Sequence, residues 1–199
     1  MAKFDFSPHR ELNGKHSRLS PSGPTWLRYD SAKMYNRFMT EKKKAEGTYL
    51  HDLAQRMIIT KTQCRDLKKA FNMFVNDAIG FGMESEVVLK YSDNAFGTAD
   101  AIKFTPGTKK GSGHLQIHDL KTGVSKPHWD QLFVYAALFC LEYGYKPHNL
   151  TFQCRLYQGN GWTEEEPEPE YIVEIMDKIQ ELDEVINLAR EETGGLFGQ

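Results

Sequence analysis

The sequence predicts an α/β (α+β) fold in which helices flank a central mixed β-sheet with an antiparallel meander. Apolar residues recur at helical spacing in four stretches and at strand spacing in four others. Along the chain these stretches are ordered as helices, a meander, a helix, a strand and a helix. A length of 199 residues suits one sizeable domain, so we predict a single domain over 1–199.

The first 40 residues are predicted to be irregular, because prolines, serines and a glycine fall at turn positions in LSPSGPTWLRYD. Helices are predicted over 42–59 and over 62–79, and the Gly80-Phe81-Gly82 break ends the second. A third helix is predicted over 129–142, where the apolar residues form a continuous stripe.

β-branched or alternating residues predict the strands, which are 84–90, 96–104, 114–120 and 150–157. The first three form the meander, and the last is half-buried or at the sheet's edge. An acidic, proline-containing linker is predicted at 163–170, and a C-terminal helix at 170–190. The apolar residues of that helix fall on one face, which consists of Ile172, Ile175, Ile179, Leu182, Ile186 and Ala189.

Composition and cysteine usage indicate a cytoplasmic protein, in the host cytoplasm if a phage encodes it. The hydrophobic fraction is 40% and the charged fraction 26%, which is ordinary for a globular protein. No apolar run approaches the length of a membrane span, and the N-terminus lacks a signal-peptide core. The three cysteines are far apart in sequence, which favours a reducing compartment.

Charge is unevenly distributed although the net charge is only −2. Residues 1–69 hold 15 basic and 7 acidic residues, whereas residues 163–192 hold 2 basic and 12 acidic residues. A basic N-terminal third is suited to holding phosphates while an acidic C-terminal element faces away. Charge alone favours the alternative, in which both are solvated helix faces.

Acidic residues on inward-facing strand positions predict a metal site. In HLQIHDLKTG, Asp119 and Lys121 share a face with apolar residues that point to the interior. Asp100 has bulky neighbours on its face of FGTADAIKF, and Glu86 shares a face with Val88. Buried carboxylates repel one another, and Mg²⁺ or Mn²⁺ would compensate their charge. The alternative is a strand-end ion pair between Asp119 and Lys121, with Asp100 capping a turn.

Five short motifs occur in a fixed order: AEGTYLHDLA with Gly47, Thr48 and His51; SEVVL with Glu86; GTAD with Asp100; HDLKTG with Asp119 and Lys121; and QLFVY with Gln131 and Tyr135. This order, over roughly 16–157, resembles the PD-(D/E)XK nuclease superfamily. Within it, the closest likeness is to the RecB-like branch, which includes phage exonucleases and CRISPR-adaptation nucleases. The resemblance implies a restriction-endonuclease-like core and one nuclease domain.

Site roles follow from this resemblance. It implies that His51, Asp100 and Asp119 bind Mg²⁺ or Mn²⁺, and that the catalytic residues are Asp100, Asp119, Lys121 and Glu86. Glu84 lies on the same strand face as Glu86 and could take its part. Gln131 and Tyr135 would meet the scissile strand or hold Lys121 in place, or else form the polar flank of a packed helix.

Basic residues beside the predicted helices suit sequence-independent phosphate contacts, or else are solvated helix faces. They are Lys42, Lys43, Lys44, Arg65, Lys68 and Lys69. Some relatives hold an iron–sulfur cluster with one upstream and three downstream cysteines. Cys64, Cys140 and Cys154 are not clustered in that way, so we predict no iron–sulfur cluster, with the C-terminal helix replacing that brace.

The sequence therefore predicts a metal-dependent deoxyribonuclease, an exonuclease in recombination, repair or phage DNA metabolism. Its partners would be single- or double-stranded DNA and, further, a recombinase or single-strand-binding protein. No membrane is expected, and a homo-oligomer is left open. The alternatives are a catalytically silent DNA-binding or scaffold module of the same fold, and a partner-binding factor that acts through its acidic C-terminal helix.

Overall fold

The fold is known from a computed structural model of the 199-residue chain. It describes residues 24–124 and 128–192, together with Leu19 and Pro21. Among these residues, no helix is both long enough and apolar enough to cross a membrane. Contacts divide the chain into two compact units, Met1–Ala45 and Glu46–Gln199. A single domain over 1–199 stays a prediction.

Helix α1 spans Ser31–Ile59. It begins after Asp30 because Oδ1 of that residue accepts a hydrogen bond from the Lys33 amide at 2.7 Å, which caps the helix. The predicted irregular segment 1–40 is therefore wrong from residue 31 onward. Most of residues 1–23 lie outside the described part of the chain.

Five strands form one mixed sheet, in the order β1-β2-β3-β4-β5. The strands are β1 (Glu84–Lys90), β2 (Phe96–Pro106), β3 (Gly113–Lys121), β4 (Leu150–Gln158) and β5 (Gly161–Glu165). The meander β1-β2-β3 is antiparallel, β4 runs parallel to β3, and β5 runs antiparallel to β4. The coarse prediction of an α+β fold with a mixed sheet flanked by helices is confirmed.

Helices cover both faces of this sheet. Beside α1 they are α2 (Ala70–Phe81), α3 (Asp130–Tyr143) and α4 (Pro169–Glu192), with 3-10 turns at Pro24–Arg28 and Pro147–Asn149. The second half of α1 and all of α2 share a core with Leu120 of β3. Helix α3 packs on Leu115 and Ile117, which point to the opposite face of the same strand. Helix α4 packs against α3.

Helix α2 begins eight residues later than predicted, at Ala70 rather than at residue 62. Side-chain to backbone hydrogen bonds hold the preceding segment in turns. The Asn76 amide bonds both the N–H and the C=O of Cys64, and Asp66 accepts from the Lys68 amide. Leu67 in this segment is exposed as a result.

The predicted linker at 163–170 is wrong in its first part, because residues 163–165 belong to β5. This strand forms because Arg155 of β4 stacks on Trp162 at 4.3 Å and pairs with Glu164. Strand β4 consequently lies inside the sheet and not at its edge.

The C-terminal helix extends one residue earlier and two residues later than predicted, over Pro169–Glu192. On its apolar face, Ile172 in the first half of the helix is fully buried. Leu182, Ile186 and Ala189, which lie on the same face in the second half, are exposed. The cause is length, because the 24-residue α4 extends past the 14-residue α3 on which it packs.

Candidate metal centre

Three potential metal ligands meet beside the meander: His51 on α1, Glu86 on β1 and Asp100 on β2. Their ligand atoms all lie within 4.8 Å of one another. The strand register explains the pairing of the acids, because Ser85 opposes Ala101 and Val87 opposes Ala99. Glu86 and Asp100 therefore occupy facing positions on neighbouring strands.

The backbone is irregular at this facing pair. Glu86 has φ +55°, which is uncommon for a residue other than glycine. Ala99 and Ile102 both pack in the α3 core, although strict alternation would place them on opposite faces. The alternation of β2 side chains between the two faces of the sheet therefore slips by one residue at Asp100. Such strain is typical of functional sites.

This slip resolves which glutamate joins the cluster. Glu84 lines an apolar cavity of about 130 Å³ together with Val87 and Leu89, which pack with the α3 core. Glu86 carries the ligand atom close to His51 and Asp100. Among the described residues, the cluster therefore contains Glu86 and not Glu84, and the role of Glu86 stays a prediction.

Asp100 connects three elements. Its Oδ1 lies 3.3 Å from His51 Nδ1, and its Oδ2 accepts a hydrogen bond from the Leu120 amide at 2.8 Å. The carboxylate therefore ties β2 to β3 at the point where their register of paired residues ends, at Ala101 and His118. The alternative role of Asp100 as a turn cap is wrong.

Asp119 and Lys121 form the ion pair that the structural alternative predicts, with Nζ 2.9 Å from Oδ2. Its setting differs from that of a surface pair, because Asp119 is only 2% exposed. Apart from this ion pair, Oδ2 has no hydrogen-bond partner among the described residues. Asp119 lies outside the group whose ligand atoms are within 4.8 Å, whereas Glu86 lies inside it.

A chain of hydrogen bonds holds Lys121 from the α3 side. Lys121 Nζ donates to Gln131 Oε1 at 2.5 Å, and Gln131 Nε2 donates to the Tyr135 hydroxyl at 3.2 Å. That hydroxyl donates to the Thr98 carbonyl of β2 at 2.6 Å. Of the roles considered for Gln131 and Tyr135, these contacts match the holding of Lys121. Tyr135 is also buried, so it is not a solvated flank.

Two glycines permit the close approach of the helices to this centre. A Cβ on Gly47 of α1 would lie 2.9 Å from Thr122 Oγ1, and a Cβ on Gly97 would lie 3.0 Å from the ring of Tyr135. Gly47 precedes His51 by about one helical turn. The short side chain therefore lets α1 reach the end of β3 and deliver His51 to Asp100.

The electrostatics of the cluster indicate an excess of negative charge. Burial raises the pKa of Asp119 to about 6. The negative charge of Asp100 also raises this pKa, whereas Lys121 lowers it. Burial also raises the pKa of Glu86, again with a contribution from Asp100. Hydrogen bonding to Asp100 raises the pKa of His51. Each shift is of the kind that a cation bound among these groups would relieve.

A buried polar network lies behind the centre and has no sequence signal, because three separate elements supply it. The Tyr157 hydroxyl donates to Asp77 Oδ2 at 2.7 Å and lies 3.2 Å from His118 Nδ1. His118 is fully buried, and burial lowers its pKa to about 3. This neutral histidine fixes β3 from the face opposite Asp119.

The predicted phosphate-binding lysines are all exposed. Lys42, Lys43 and Lys44 belong to the compact unit of residues 1–45. Lys68 and Lys69 lie immediately before α2 in the other unit, with Arg65 in the same turn segment. Their role toward a substrate stays a prediction.

The donor set fits a hard divalent cation. Two carboxylates and one imidazole converge, and a further buried carboxylate lies beside them. Oxygen-rich sites of this kind suit Mg²⁺ and Mn²⁺. Softer metals favour thiolates, and the three cysteines are free, with Cys140 and Cys154 buried in the core under α3.

The chain matches no protein-family model, no curated protein and no solved structure. Membership of the PD-(D/E)XK superfamily and its restriction-endonuclease-like core therefore stay predictions.

Proposed function

We propose that this protein is a metal-dependent deoxyribonuclease that hydrolyses phosphodiester bonds from DNA ends. The observation that carries the proposal is the convergence of His51, Glu86 and Asp100 within 4.8 Å, beside the buried Asp119. A cationic lysine, Lys121, is held next to these acids by two independent contacts. This combination of acids, imidazole and fixed ammonium suits hydrolysis of a phosphate diester.

Each residue has a role in this proposal. His51, Glu86 and Asp100 would hold Mg²⁺ or Mn²⁺, with Asp119 as a further carboxylate beside them. The bound cation would polarise a phosphoryl oxygen and lower the pKa of a coordinated water. Lys121 positions the attacking water and offers positive charge as negative charge develops on the phosphate oxygens. Asp119 orients Lys121 through the 2.9 Å ion pair.

The deciding experiment is incubation of end-labelled single- and double-stranded DNA with the protein in Mg²⁺, in Mn²⁺ and in EDTA. Asp119→Ala and Lys121→Ala are assayed beside the wild type. We expect metal-dependent release of nucleotides from the wild type and a loss of at least about 100-fold in both variants. Circular DNA without ends should resist cleavage if the enzyme is an exonuclease.

Matched controls come from the exposed face of α4. Asp177→Ala and Lys178→Ala remove the same charges from solvent-exposed positions and should retain full activity. Cleavage in EDTA, or cleavage that survives both site substitutions, would contradict the proposed mechanism. Absence of cleavage on every DNA substrate would favour the catalytically silent module.

The hydrogen-bond chain behind Lys121 gives a graded prediction. Tyr135→Phe removes the bond to the Thr98 carbonyl and one contact to Gln131, so Lys121 loses part of its support. We expect kcat to fall about tenfold, with little change in KM, because a positioning contact worth about 1.4 kcal/mol is lost. Gln131→Ala should lower kcat further, since it removes the direct partner of Lys121.

Steady-state kinetics on labelled DNA measure both effects. Thermal unfolding of the same variants separates positioning from folding, because the hydroxyl of Tyr135 contributes one hydrogen bond to stability as well. An equal fall of activity in Tyr143→Phe, which alters an exposed tyrosine later on α3, would argue against the positioning role.

A second function is favoured by a separate observation on α4. Its C-terminal half exposes Leu182, Val185, Ile186 and Leu188 between acidic residues. An exposed apolar stripe of this kind suits a partner protein. The double substitution Val185→Asp and Leu188→Asp, at two exposed positions, should abolish such binding, and an intact nuclease activity in this variant would separate the two functions.

A further inference from the structure

An exposed apolar strip extends from the candidate centre along the β1–β2 hairpin. Val88 is 55% exposed and Phe96 is 62% exposed, and Thr98 between them is also exposed. Large apolar side chains that are this exposed, side by side, indicate a binding surface. The proposed nuclease function leaves this strip without a role.

Strand register places the strip on the side of the sheet where α1 delivers His51. Val87 opposes Ala99 and Leu89 opposes Gly97, and this set faces α3, since Ala99 and Leu89 are buried in its core. Val88 opposes Thr98 and Lys90 opposes Phe96, so these side chains point away from α3. No described helix covers them, as their exposure demonstrates.

Distance along the strand connects the strip to the acids. At about 3.3 Å per residue, Thr98 lies roughly 7 Å and Phe96 roughly 13 Å from Asp100 along β2. A stacked nucleic-acid strand advances about 3.4 Å per nucleotide, so a strand cut at Asp100 would reach Phe96 within a few nucleotides.

The hairpin is held rigid at its tip. Ser92 and Asn94 in the β1–β2 turn both donate to Asp183 of α4, the second at 2.8 Å. The Tyr91 amide closes the turn onto the Ala95 carbonyl at 2.9 Å. The Phe96 side chain therefore projects from a fixed backbone, so the ordering cost of binding to it is reduced.

The chemistry of the strip favours bases over phosphates. Lys90, the one basic residue opposite Phe96, is engaged by Asp93 at 2.6 Å. The remaining surface is apolar and aromatic, which offers a stacking face and little positive charge. Paired bases in a duplex are stacked on one another and hide their faces, so this surface is matched to unpaired bases.

We propose that Phe96 is a stacking platform for unpaired bases of the substrate strand. Val88 and Thr98 form the surface between this platform and the acidic residues of the candidate centre. This inference rests on the proposed function for the nature of the substrate. It assigns the class of substrate: DNA with a single-stranded segment next to the scissile bond.

The test measures binding and cleavage separately. A short single-stranded oligonucleotide carrying 2-aminopurine is titrated against Lys121→Ala protein in Mg²⁺, which keeps the strand intact. Stacking on Phe96 should quench the fluorescence of the base. Introducing Phe96→Ala into the Lys121→Ala protein should weaken single-strand binding by about five- to 100-fold and remove the quenching.

Variants at Phe96 distinguish stacking from general apolar contact. Phe96→Trp should retain affinity, and Phe96→Leu should lose it although it remains apolar. Binding of a blunt duplex of the same sequence should change by less than about twofold in all three. Tyr143→Ala, which removes an aromatic side chain that is 54% exposed, is the matched control. Thermal unfolding should be unchanged in Phe96→Ala, since Phe96 is largely exposed and its removal leaves no cavity.

The two proposals fail in different ways. Metal-dependent cleavage with single-strand affinity unchanged in Phe96→Ala overturns the stacking platform and leaves the nuclease intact. Phe96-dependent quenching without cleavage by the wild type overturns the nuclease and retains the platform. An equal loss in Phe96→Leu and Phe96→Ala, with no quenching in the wild type, would identify the strip as a protein contact.

Discussion

Asp100→Asn is expected to lower kcat/KM on DNA by about 10³-fold, equivalent to about 4 kcal/mol of transition-state stabilisation. Asp100 is the acid shared by every part of the centre, since it faces His51, opposes Glu86 and accepts the Leu120 amide. Asparagine keeps an oxygen for the Leu120 amide, so the β2–β3 junction is retained. It loses the negative charge that a divalent cation requires.

Calorimetric titration with Mn²⁺ measures the loss of metal binding directly. Wild-type protein should bind the metal, and Asp100→Asn should bind it at least about tenfold more weakly. Asp177→Asn, on the exposed face of α4, is the matched control for charge and shape. Undiminished metal binding in Asp100→Asn would show that the cluster of His51, Glu86 and Asp100 is not the metal site.

Asp119→Asn is expected to stabilise the metal-free protein at pH 8 by up to about 3 kcal/mol, while it removes activity. The cause is the pKa of about 6 that burial and Asp100 impose on Asp119 in the folded chain. The unfolded value is about 3.9. The pKa of Asp119 is higher in the folded chain than in the unfolded chain. The protonated carboxyl therefore contributes favourably to the free energy of unfolding, and this contribution is fully present below about pH 4. It is lost as the pH rises through 6.

Urea unfolding of wild type and Asp119→Asn, in EDTA at several pH values, measures this dependence. The difference between the two proteins should be largest above pH 6 and should shrink toward pH 4. Mg²⁺ should stabilise both proteins at pH 8 but the wild type more, because only the wild type also gains from neutralisation of the buried Asp119 charge. A wild type that is more stable than Asp119→Asn at pH 8 in EDTA would mean that the carboxylate is favourably paired by Lys121 without a metal.

Local sequence predicted the strands well, because each strand is bounded by turns and carries its own pattern. Strand β1 was predicted with its bounds, and the helix from 129 was displaced by a single residue at each end. The predictions were wrong where residues distant in sequence determine the local structure. The start of α2 depends on hydrogen bonds across the turn before it, and β5 depends on Arg155 of another strand.

The site shows the same division between local and distant causes. The alternation of residues along β3 correctly predicted that Asp119 points inward, since that strand is regular. Alternation along β1 could not separate Glu84 from Glu86, because the slip at Glu86 is a backbone irregularity with φ +55°. The network of His118, Tyr157 and Asp77 joins a helix and two strands, so no spacing along the chain reveals it.

The parallel pairing of β3 with β4 has a consequence for the order in which the centre assembles. Strand β3 carries Asp119 and Lys121, and it lies between β2 and β4, with α3 as the connection to β4. Contacts between residues distant in sequence form late in folding, because the intervening chain must first be ordered. During synthesis, β3 therefore lacks one of its two neighbours until residue 158 has left the ribosome. We therefore expect the part of the centre on β3, Asp119 and Lys121, to become ordered only after β4 has been translated.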